Sequence, residues 1–207
     1  MSASPQDLMT AKLFFNAAFP TMQVLLDDDP KLHKKFQNFN ATVQFGAMND
    51  GELLCCHLIF QNGNLTVVQG PAEKSDISLT FSSVEKMNSL LKGGLSLPSI
   101  KGNLSLLPNV LSILMGLKIM TKPNDKLKND TEKLLKVKCS LYMITRALSQ
   151  YNKLGDPDMQ EFCRRQPDRI YQFQVEHDGQ PDYIACYLRV KAGQSKSGHG
   201  GYTRRSP

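Results

Sequence analysis

The stretch from Asp76 to Met120 constrains the fold more than any other, because it joins a strand pattern, a capped helix and a long uncharged helix. Residues 76–81 alternate apolar and polar side chains, which predicts a β-strand. Ser82, with Glu85 three residues later, has the capping-box pattern of a helix start, and Gly93-Gly94 ends that helix. The fold must therefore combine β-strands with packed helices.

An uncharged helix is predicted from Pro108 to Met120, and apolar residues cover most of its circumference. These residues are Val110, Leu111, Ile113, Leu114, Met115, Leu117, Ile119 and Met120. A helix that is apolar nearly all round needs apolar contact on more than one side. The sequence leaves open whether the second contact is the protein core, another subunit or a lipid.

The residues before this stretch predict two helices followed by a sheet. A helix begins at Ser4, Pro20 is expected to bend or end it, and Asp29-Pro30 begins a shorter helix. The apolar period then changes to two. The turn sequences Asn49-Asp50-Gly51 and Asn62-Gly63 predict two successive β-hairpins.

The C-terminal part predicts a second group of helices and strands. Asp130 begins a helix, Asp156-Pro157 begins a shorter one, and a β-hairpin follows with its turn at Asp178-Gly179. The hairpin strands are residues 170–175 and 183–190. From about Gly193 we expect a mobile tail, because the sequence becomes rich in glycine and serine.

The two halves share features in the same order, which indicates an internal repeat. The first half has Asp29-Pro30, Gln44-Phe45, Asp50-Gly51 and Gly63, and the second has Asp156-Pro157, Gln172-Phe173, Asp178-Gly179 and Gly193. Chance similarity is the alternative, because such turn residues recur widely. We therefore predict one domain at residues 1–122, and at 123–207 a C-terminal extension that is a partial, truncated second copy of helices plus a β-hairpin. Such a copy would depend on the first copy, a partner chain or further residues.

Four short motifs follow one another over about residues 10–120. They are the hairpin ending in Asn62-Gly63-Asn64-Leu65, the strand Asp76-Ile77-Ser78-Leu79-Thr80, the helix through Met87, Leu90 and Leu91 that ends at Lys92-Gly93, and the segment Lys101-Gly102-Asn103-Leu104 before an apolar helix. In this order and spacing they resemble the sterol carrier protein domain family.

The resemblance implies an α+β fold in which helices pack on one side of a twisted, mainly antiparallel sheet. It also implies an apolar tunnel between the two layers that holds a sterol, fatty acid, acyl-coenzyme A or phospholipid. Only Leu95 to Ile100 lie between Gly94 and Lys101, where typical members have a longer loop and a fifth strand. We expect this difference to reshape or close the tunnel.

The apolar helix and the resemblance together predict one set of ligand-binding residues. They are Phe14, Phe45, Leu58, Val84, Met87, Leu91, Val110, Leu111, Leu114 and Met115. Burial of apolar surface would supply the affinity for such a ligand.

The sequence carries no recognisable catalytic or metal motif. Neither G-x-S-x-G nor H-E-x-x-H occurs, and the four histidines, His33, His57, His177 and His199, are too scattered for a metal site. The glycines from Gly193 to Gly200 resemble a P-loop, but His199 and Gly200 stand where Lys and Ser or Thr are needed. We predict a protein that is not an enzyme and needs no cofactor.

Net charge and cysteine content limit the classes of partner and the cellular compartment that the sequence predicts. The net charge is +6, and the basic runs lack interleaved aromatics, so we predict no nucleic-acid binding and at most weak membrane-surface contact. Five cysteines without a CxxC spacing, in a chain without a leader, predict a cytoplasmic protein with reduced thiols. The uncharged stretch Gly102 to Leu117 contains Pro108 and is short for a bilayer, so no transmembrane helix is expected.

Two functions follow from these expectations. The first is non-catalytic binding or transfer of a hydrophobic ligand. The second is an interaction or accessory module that fills its pocket with its own side chains and acts through a partner chain or enzyme. A homodimer formed through the C-terminal hairpin is one arrangement that the second function predicts.

Overall fold

The structure, a computed structural model, describes residues 2–176 and 184–203. It consists of two compact units that divide after Lys118. The boundary expected from the sequence lies after Lys122. Each unit combines helices with a β-sheet, so the chain has an α+β fold.

The first unit contains five α-helices and a five-stranded sheet within the described residues. Its elements are α1 Pro5–Leu13, a π-helical turn Phe14–Ala18, α2 Phe19–Asp28, α3 Pro30–Phe36, β1 Ala41–Asn49, β2 Glu52–Gln61, β3 Asn64–Gln69, β4 Ile77–Phe81, α4 Val84–Leu91, β5 Ser99–Gly102 and α5 Leu107–Gly116. Short 3₁₀ turns, Leu104–Leu106 and Leu117–Thr121, flank α5.

The first sheet is mixed, with the strand order β3-β2-β1-β4-β5. The strand β1 is antiparallel to β2 and parallel to β4. Both predicted hairpin turns are confirmed, because Asp50, Gly51, Asn62 and Gly63 have the positive φ angles that a two-residue turn requires. The sheet is thus specified by local turn chemistry and by a period of two.

The π-helical turn and α2 pack on one face of this sheet. Their buried side includes Phe15, Phe19, Met22, Leu25 and Leu26. The ring of Phe19 meets the ring of Phe45 on β1 edge to face, with centroids 5.3 Å apart. This contact joins the helical layer to the centre of the sheet.

Pro20 does not end the first helix, which continues to Asp28. The π-helical turn just before Pro20 accommodates the proline. In this turn the N–H of Phe19 donates to the carbonyl of Phe14, five residues earlier. A π turn widens the helix locally, which relieves the clash between a proline ring and the carbonyl four residues before it.

Two helix caps lie one residue away from the predicted positions. Ser83 rather than Ser82 caps α4, because its Oγ accepts from the N–H of Lys86. The hydroxyl of Ser82 instead accepts from the Lys86 ammonium at 3.0 Å. Asn129 rather than Asp130 caps the first helix of the second unit, and Asp130 becomes its first residue, where the helix dipole favours an acid.

A fifth strand is present, contrary to the expectation from the short Leu95–Ile100 connection. The strand β5 pairs antiparallel with β4, with Ile100 opposite Leu79. Gly102 has a φ of 100°, and the next residue, Asn103, donates its N–H to the carbonyl of Asp76 at 2.7 Å. The glycine ends the strand with a turn that other residues adopt only under strain.

The second unit has two α-helices and a three-stranded antiparallel sheet in its described part. Its elements are a 3₁₀ turn Asn124–Lys126, α6 Asp130–Leu154, α7 Pro157–Arg165, β6 Arg169–Val175, β7 Ile184–Lys191 and β8 Gln194–His199. The strand order is β6-β7-β8. Cys163, Leu188 and Val190 form its buried core.

Residues 194–199, expected to begin a mobile tail, instead form β8. Ala192 and Gly193 have positive φ angles, so they make a two-residue hairpin turn rather than the start of a linker. The turn predicted at Asp178-Gly179 lies outside the described residues.

Candidate ligand-binding site

The helix α5 lies directly against α2 and α3 of the first unit. Val110 and Ile113 on its inner side are buried. A Cβ atom added at Gly116 would lie 2.9 Å from Cδ1 of Leu25 and 3.1 Å from Cδ1 of Leu32. The close approach shows that no side chain separates the end of α5 from the two leucines.

The start of α5 is held by Lys35, which lies on α3. Its Nζ donates to the carbonyl oxygen of Pro108 at 2.9 Å and to Oγ of Ser112 at 3.0 Å. Asn103 caps the preceding 3₁₀ turn by accepting from the N–H of Ser105. These polar contacts fix where the apolar helix begins.

The opposite side of α5 and the segment before it expose large apolar side chains. Leu104, Leu111 and Met115 are 60%, 45% and 55% exposed, and Leu95 and Leu97 are almost fully exposed. We call these five residues the outer apolar residues. Only one side of α5 packs in the core. The apolar side chains on its other side therefore remain exposed to solvent.

One segment of the described chain, Leu104–Thr121, is long and apolar enough to cross a membrane by length and composition. It has 18 residues, of which 11% are buried. A single segment of this kind is weak evidence for a membrane span. The expectation that no helix crosses a membrane stays a prediction.

The ten predicted ligand-binding residues do not share one environment. Phe45, Leu58, Val84, Met87 and Val110 are buried; Phe14, Leu91 and Leu114 are partly exposed; Leu111 and Met115 are exposed. The ring of Phe45 packs against the rings of Phe19 and Phe81, with centroids 5.3 Å and 5.5 Å away. Protein side chains therefore fill the space around Phe45, and the predicted set stays a prediction.

A cavity of about 450 Å³ lies in the second unit, which the sequence-based site did not include. It is lined by Asn124, Leu127, Lys133, Lys136, Val137, Ser140, Leu141 and Val175. Five of these residues lie on α6 at positions that share one helix face. That spacing is visible in the sequence, but the turn and strand that complete the cavity are distant along the chain.

The cysteine thiols offer no reactive centre. All five are buried and free, and burial raises the pKa of Cys55, Cys56, Cys163 and Cys186. A thiol with a raised pKa is a poor nucleophile at neutral pH. Residues 2–176 and 184–203 also hold no cluster of three or more metal-ligating side chains.

Two of the histidines have structural partners. The Nδ1 atom of His57 lies 3.0 Å from the carbonyl oxygen of Gly70. The ring of His199 stacks on Tyr142 with centroids 3.9 Å apart. Desolvation, and then the charges of Arg146 and Lys138, hold the pKa of His199 below its usual value.

Comparison with known proteins finds one likeness to report. No protein-family model matches the sequence, and no curated protein matches it. A solved structure, the solution structure of the sterol carrier protein domain 2 of Helicoverpa armigera, is similar over 56% of this chain and 94% of that chain. The two are 20% identical, with a TM-score of 0.37. A likeness at this level carries no argument about function, which has to come from the geometry of the chain itself.

Proposed function

We propose that the first unit binds a hydrophobic ligand without catalysis, at the outer apolar residues of α5 and its preceding segment. The observation that supports the proposal is that the opposite side of α5 is buried in the core while five large apolar side chains are exposed. These are Leu95, Leu97, Leu104, Leu111 and Met115. Covering one leucine fully contributes about 1.5–3 kcal/mol. Even partial cover of several such side chains therefore supports binding of an acyl chain or sterol.

The ligand classes that fit are a sterol, a fatty acid, an acyl-coenzyme A or a phospholipid. The finer form of the proposal is an apolar tunnel between sheet and helices. Val110 and Ile113 now occupy the inner side of α5, so a ligand in a tunnel must displace α5 outwards. The outer apolar residues then serve as the first contact, and α5 acts as a cover.

The test compares aspartate at two nearby positions of α5 that face opposite ways. Leu111→Asp places a carboxylate on the exposed side and should leave the fold intact. Ile113→Asp places it in the core and should unfold the first unit, because an unpaired buried charge is costly. Uptake of palmitate, cholesterol and palmitoyl-coenzyme A is measured by native mass spectrometry, and folding by circular dichroism.

The expected result is loss of cholesterol uptake in Leu111→Asp with an unchanged circular dichroism spectrum. Leu114→Asp, at a partly exposed position, should give an intermediate result in both measurements. No uptake of any of the three ligands by the unaltered protein would refute the proposed function.

We also infer that the second unit repeats the helix–hairpin part of the first. Two pairs of helix contacts support the repeat. Asp29 caps α3 and Asp156 caps α7. Gln23 donates its side-chain amide to the carbonyl of Gly63 at 3.2 Å, and Asn152 donates to the carbonyl of Gly193 at 3.1 Å. In each unit, a side chain of the helix before the capped helix thus bonds to the turn between the second and third strands.

The two sheets add further equivalent contacts. Phe45 lies opposite Cys56, and Phe173 lies opposite Cys186. Oε1 of Gln44 accepts from the N–H of Ala72 at 3.0 Å, and Oε1 of Gln172 accepts from the N–H of Tyr202 at 2.8 Å. Shared turn chemistry explains similar hairpins but not these bonds between distant residues, so the contacts favour a repeat over chance.

A second candidate function, an interaction module, is favoured by the strand β6. In the first unit β1 has a partner on both sides, whereas no strand in the described part of the second unit pairs with the outer edge of β6. Ile170, Phe173 and Val175 on this strand are exposed. An exposed apolar edge is a template for another strand.

The occupant proposed for this edge is β6 of a second copy. Antiparallel pairing about Gln172 places Tyr171 of one copy opposite Phe173 of the other, and aromatic cross-strand pairs are stabilising. Gln174→Pro should block the pairing, because this position aligns with Gly46, which lies beside β4 in the first unit. Gln174→Thr is the matched control.

Light scattering after size exclusion measures the assembly. The unaltered protein and Gln174→Thr should dimerise as concentration rises, and Gln174→Pro should stay monomeric. A monomer at every concentration for the unaltered protein would exclude this pairing.

A further inference from the structure

We propose that the cavity of the second unit is a separate binding pocket for a single-chain amphiphile with an anionic head, such as a long-chain carboxylate. This inference goes beyond the function proposed for the first unit and does not depend on it, because none of the outer apolar residues lines the cavity.

The size and construction of the cavity fit such a ligand. Its volume of about 450 Å³ lies in the usual range for small-molecule pockets. Three parts of the second unit form it: one face of α6, the turn around Asn124 and Leu127, and Val175 at the end of β6. The walls come from a helix, a turn and a strand, so the pocket needs no partner chain to exist.

Half of the described residues that line the cavity are apolar. Leu127, Val137, Leu141 and Val175 line it, and Ile144, three residues beyond Leu141 on α6, is 53% exposed. Residues 137, 141 and 144 lie on the same helix face. An apolar stripe therefore runs from the cavity along α6, in the direction that a chain of methylene groups would follow.

The lining also holds an ammonium group, on Lys136, that has no charged partner among the described residues. Nζ of Lys136 donates to the carbonyl oxygen of Lys122 at 2.6 Å and to Oδ1 of Asn124 at 2.7 Å. Both acceptors are neutral. An ammonium has three donors, so Lys136 retains one for a carboxylate oxygen.

Two nearby acids, Glu132 and Asp130, already have partners. Oε2 of Glu132 accepts from the Lys122 ammonium at 2.6 Å and from the N–H of Lys128 at 3.0 Å, and Asp130 pairs with Lys133 at 2.9 Å. Glu132 thereby ties residues 122 and 128 to α6 on either side of the turn that lines the cavity. Among the described lining residues there is no acid, so the polar part of the lining favours an anion over a cation.

The lining also excludes other anion classes. No aromatic side chain is among the described residues that line the cavity, so these residues offer a nucleotide base no stacking surface. A small inorganic anion would contact Lys136 but leave the apolar walls uncovered. A carboxylate attached to an acyl chain would contact both Lys136 and the apolar walls.

The experiment uses the full chain and dodecanoate, dodecanol and inorganic phosphate as probes, with affinity measured by calorimetry. Lys136→Met keeps the apolar stem of the side chain and removes the charge. Lys153→Met, at an exposed position of the same helix outside the cavity, is the matched control. Val137→Trp fills the cavity without adding a charge, and circular dichroism checks that each variant is folded.

Dodecanoate should bind the unaltered protein and Lys153→Met equally. Its affinity should fall about tenfold or more in Lys136→Met, because a charge-assisted hydrogen bond is lost. Dodecanol should bind more weakly and should not respond to Lys136→Met. Val137→Trp should abolish binding of both to this pocket. The amide resonance of Leu141, which should shift with dodecanoate in the unaltered protein, should then no longer shift.

Three results would overturn the proposal. They are no binding of dodecanoate, binding of phosphate as tight as that of dodecanoate, and dodecanoate binding that folded Lys136→Met and Val137→Trp leave unchanged. Leu111→Asp separates the two sites, because loss of binding in that variant alone assigns the ligand to the first unit. Binding that survives Leu111→Asp but not Lys136→Met supports the pocket even where the function proposed for the first unit fails.

Discussion

Replacing Gly116 by alanine tests whether α5 packs against Leu25 and Leu32 as the structure shows. Two effects oppose each other at this position. Alanine is a better helix former than glycine by about 1 kcal/mol in a helix interior, and by less in a last turn. The new methyl group would approach Leu25 and Leu32 to 2.9 Å and 3.1 Å, well inside the usual separation of about 3.5–4.0 Å between carbon atoms.

The steric term should prevail. Leu25 and Leu32 are both buried, so their methyl groups have little room to move. Overpacking of this kind costs about 1–3 kcal/mol. After subtraction of the helix gain, Gly116→Ala should lower the free energy of unfolding of the first unit by about 1 kcal/mol, or roughly 4 °C in Tm.

A double-mutant cycle separates the two effects. Leu32→Ala removes one obstructing side chain and by itself costs about 2–5 kcal/mol. In that background Gly116→Ala should be neutral or stabilising, which gives a favourable coupling of about 1 kcal/mol. Differential scanning calorimetry of the four proteins measures it. Equal stabilisation by alanine in both backgrounds would mean that α5 does not rest on these leucines.

Three further predictions concern the second unit and the thiols. Asn152→Leu should destabilise the second unit by about 1–3 kcal/mol in chemical denaturation, because it leaves the carbonyl of Gly193 without its amide donor; an unchanged midpoint would contradict the contact. His199 should titrate by NMR below about 6.5, since desolvation and then Arg146 lower its pKa. The unfolded state then binds the proton more readily, so stability should fall as the pH drops below that value, and His199→Gln should remove the dependence. Cys56 should react with a thiol reagent only after denaturation, and labelling of the native protein would show that its burial is incomplete.

The sheet of the first unit was predictable because its signals are local. The alternation through Val43, Phe45 and Ala47 and the Asp50-Gly51 turn fix strand identity, face and register within a few residues. The effect of Pro20 on the helix was not predictable, because it depends on the turn before the proline. Nothing in the local composition marks a π turn. The strand β5 was missed because four residues are too few to show a period.

The candidate site was less predictable because it depends on distant residues. The outward and inward sides of α5 cannot be told apart in a sequence that is apolar nearly all round. The cavity of the second unit is lined by residues from Asn124 to Val175, and the position of the Lys136 ammonium depends on a backbone carbonyl group, which has no sequence signature. The bonds of Gln44 and Gln172 likewise span about thirty residues and leave no local trace.

The outer apolar residues also bear on how this protein behaves in concentrated solution. Molecules that each carry a net charge of +6 repel one another, and this repulsion keeps the exposed leucines of neighbouring molecules apart. The range of the repulsion shrinks from about 30 Å at 0.01 M salt to about 3 Å at 1 M. Colloidal stability is therefore greatest at low ionic strength. Added salt allows exposed apolar side chains such as Leu97 and Met115 of neighbouring molecules to come into contact.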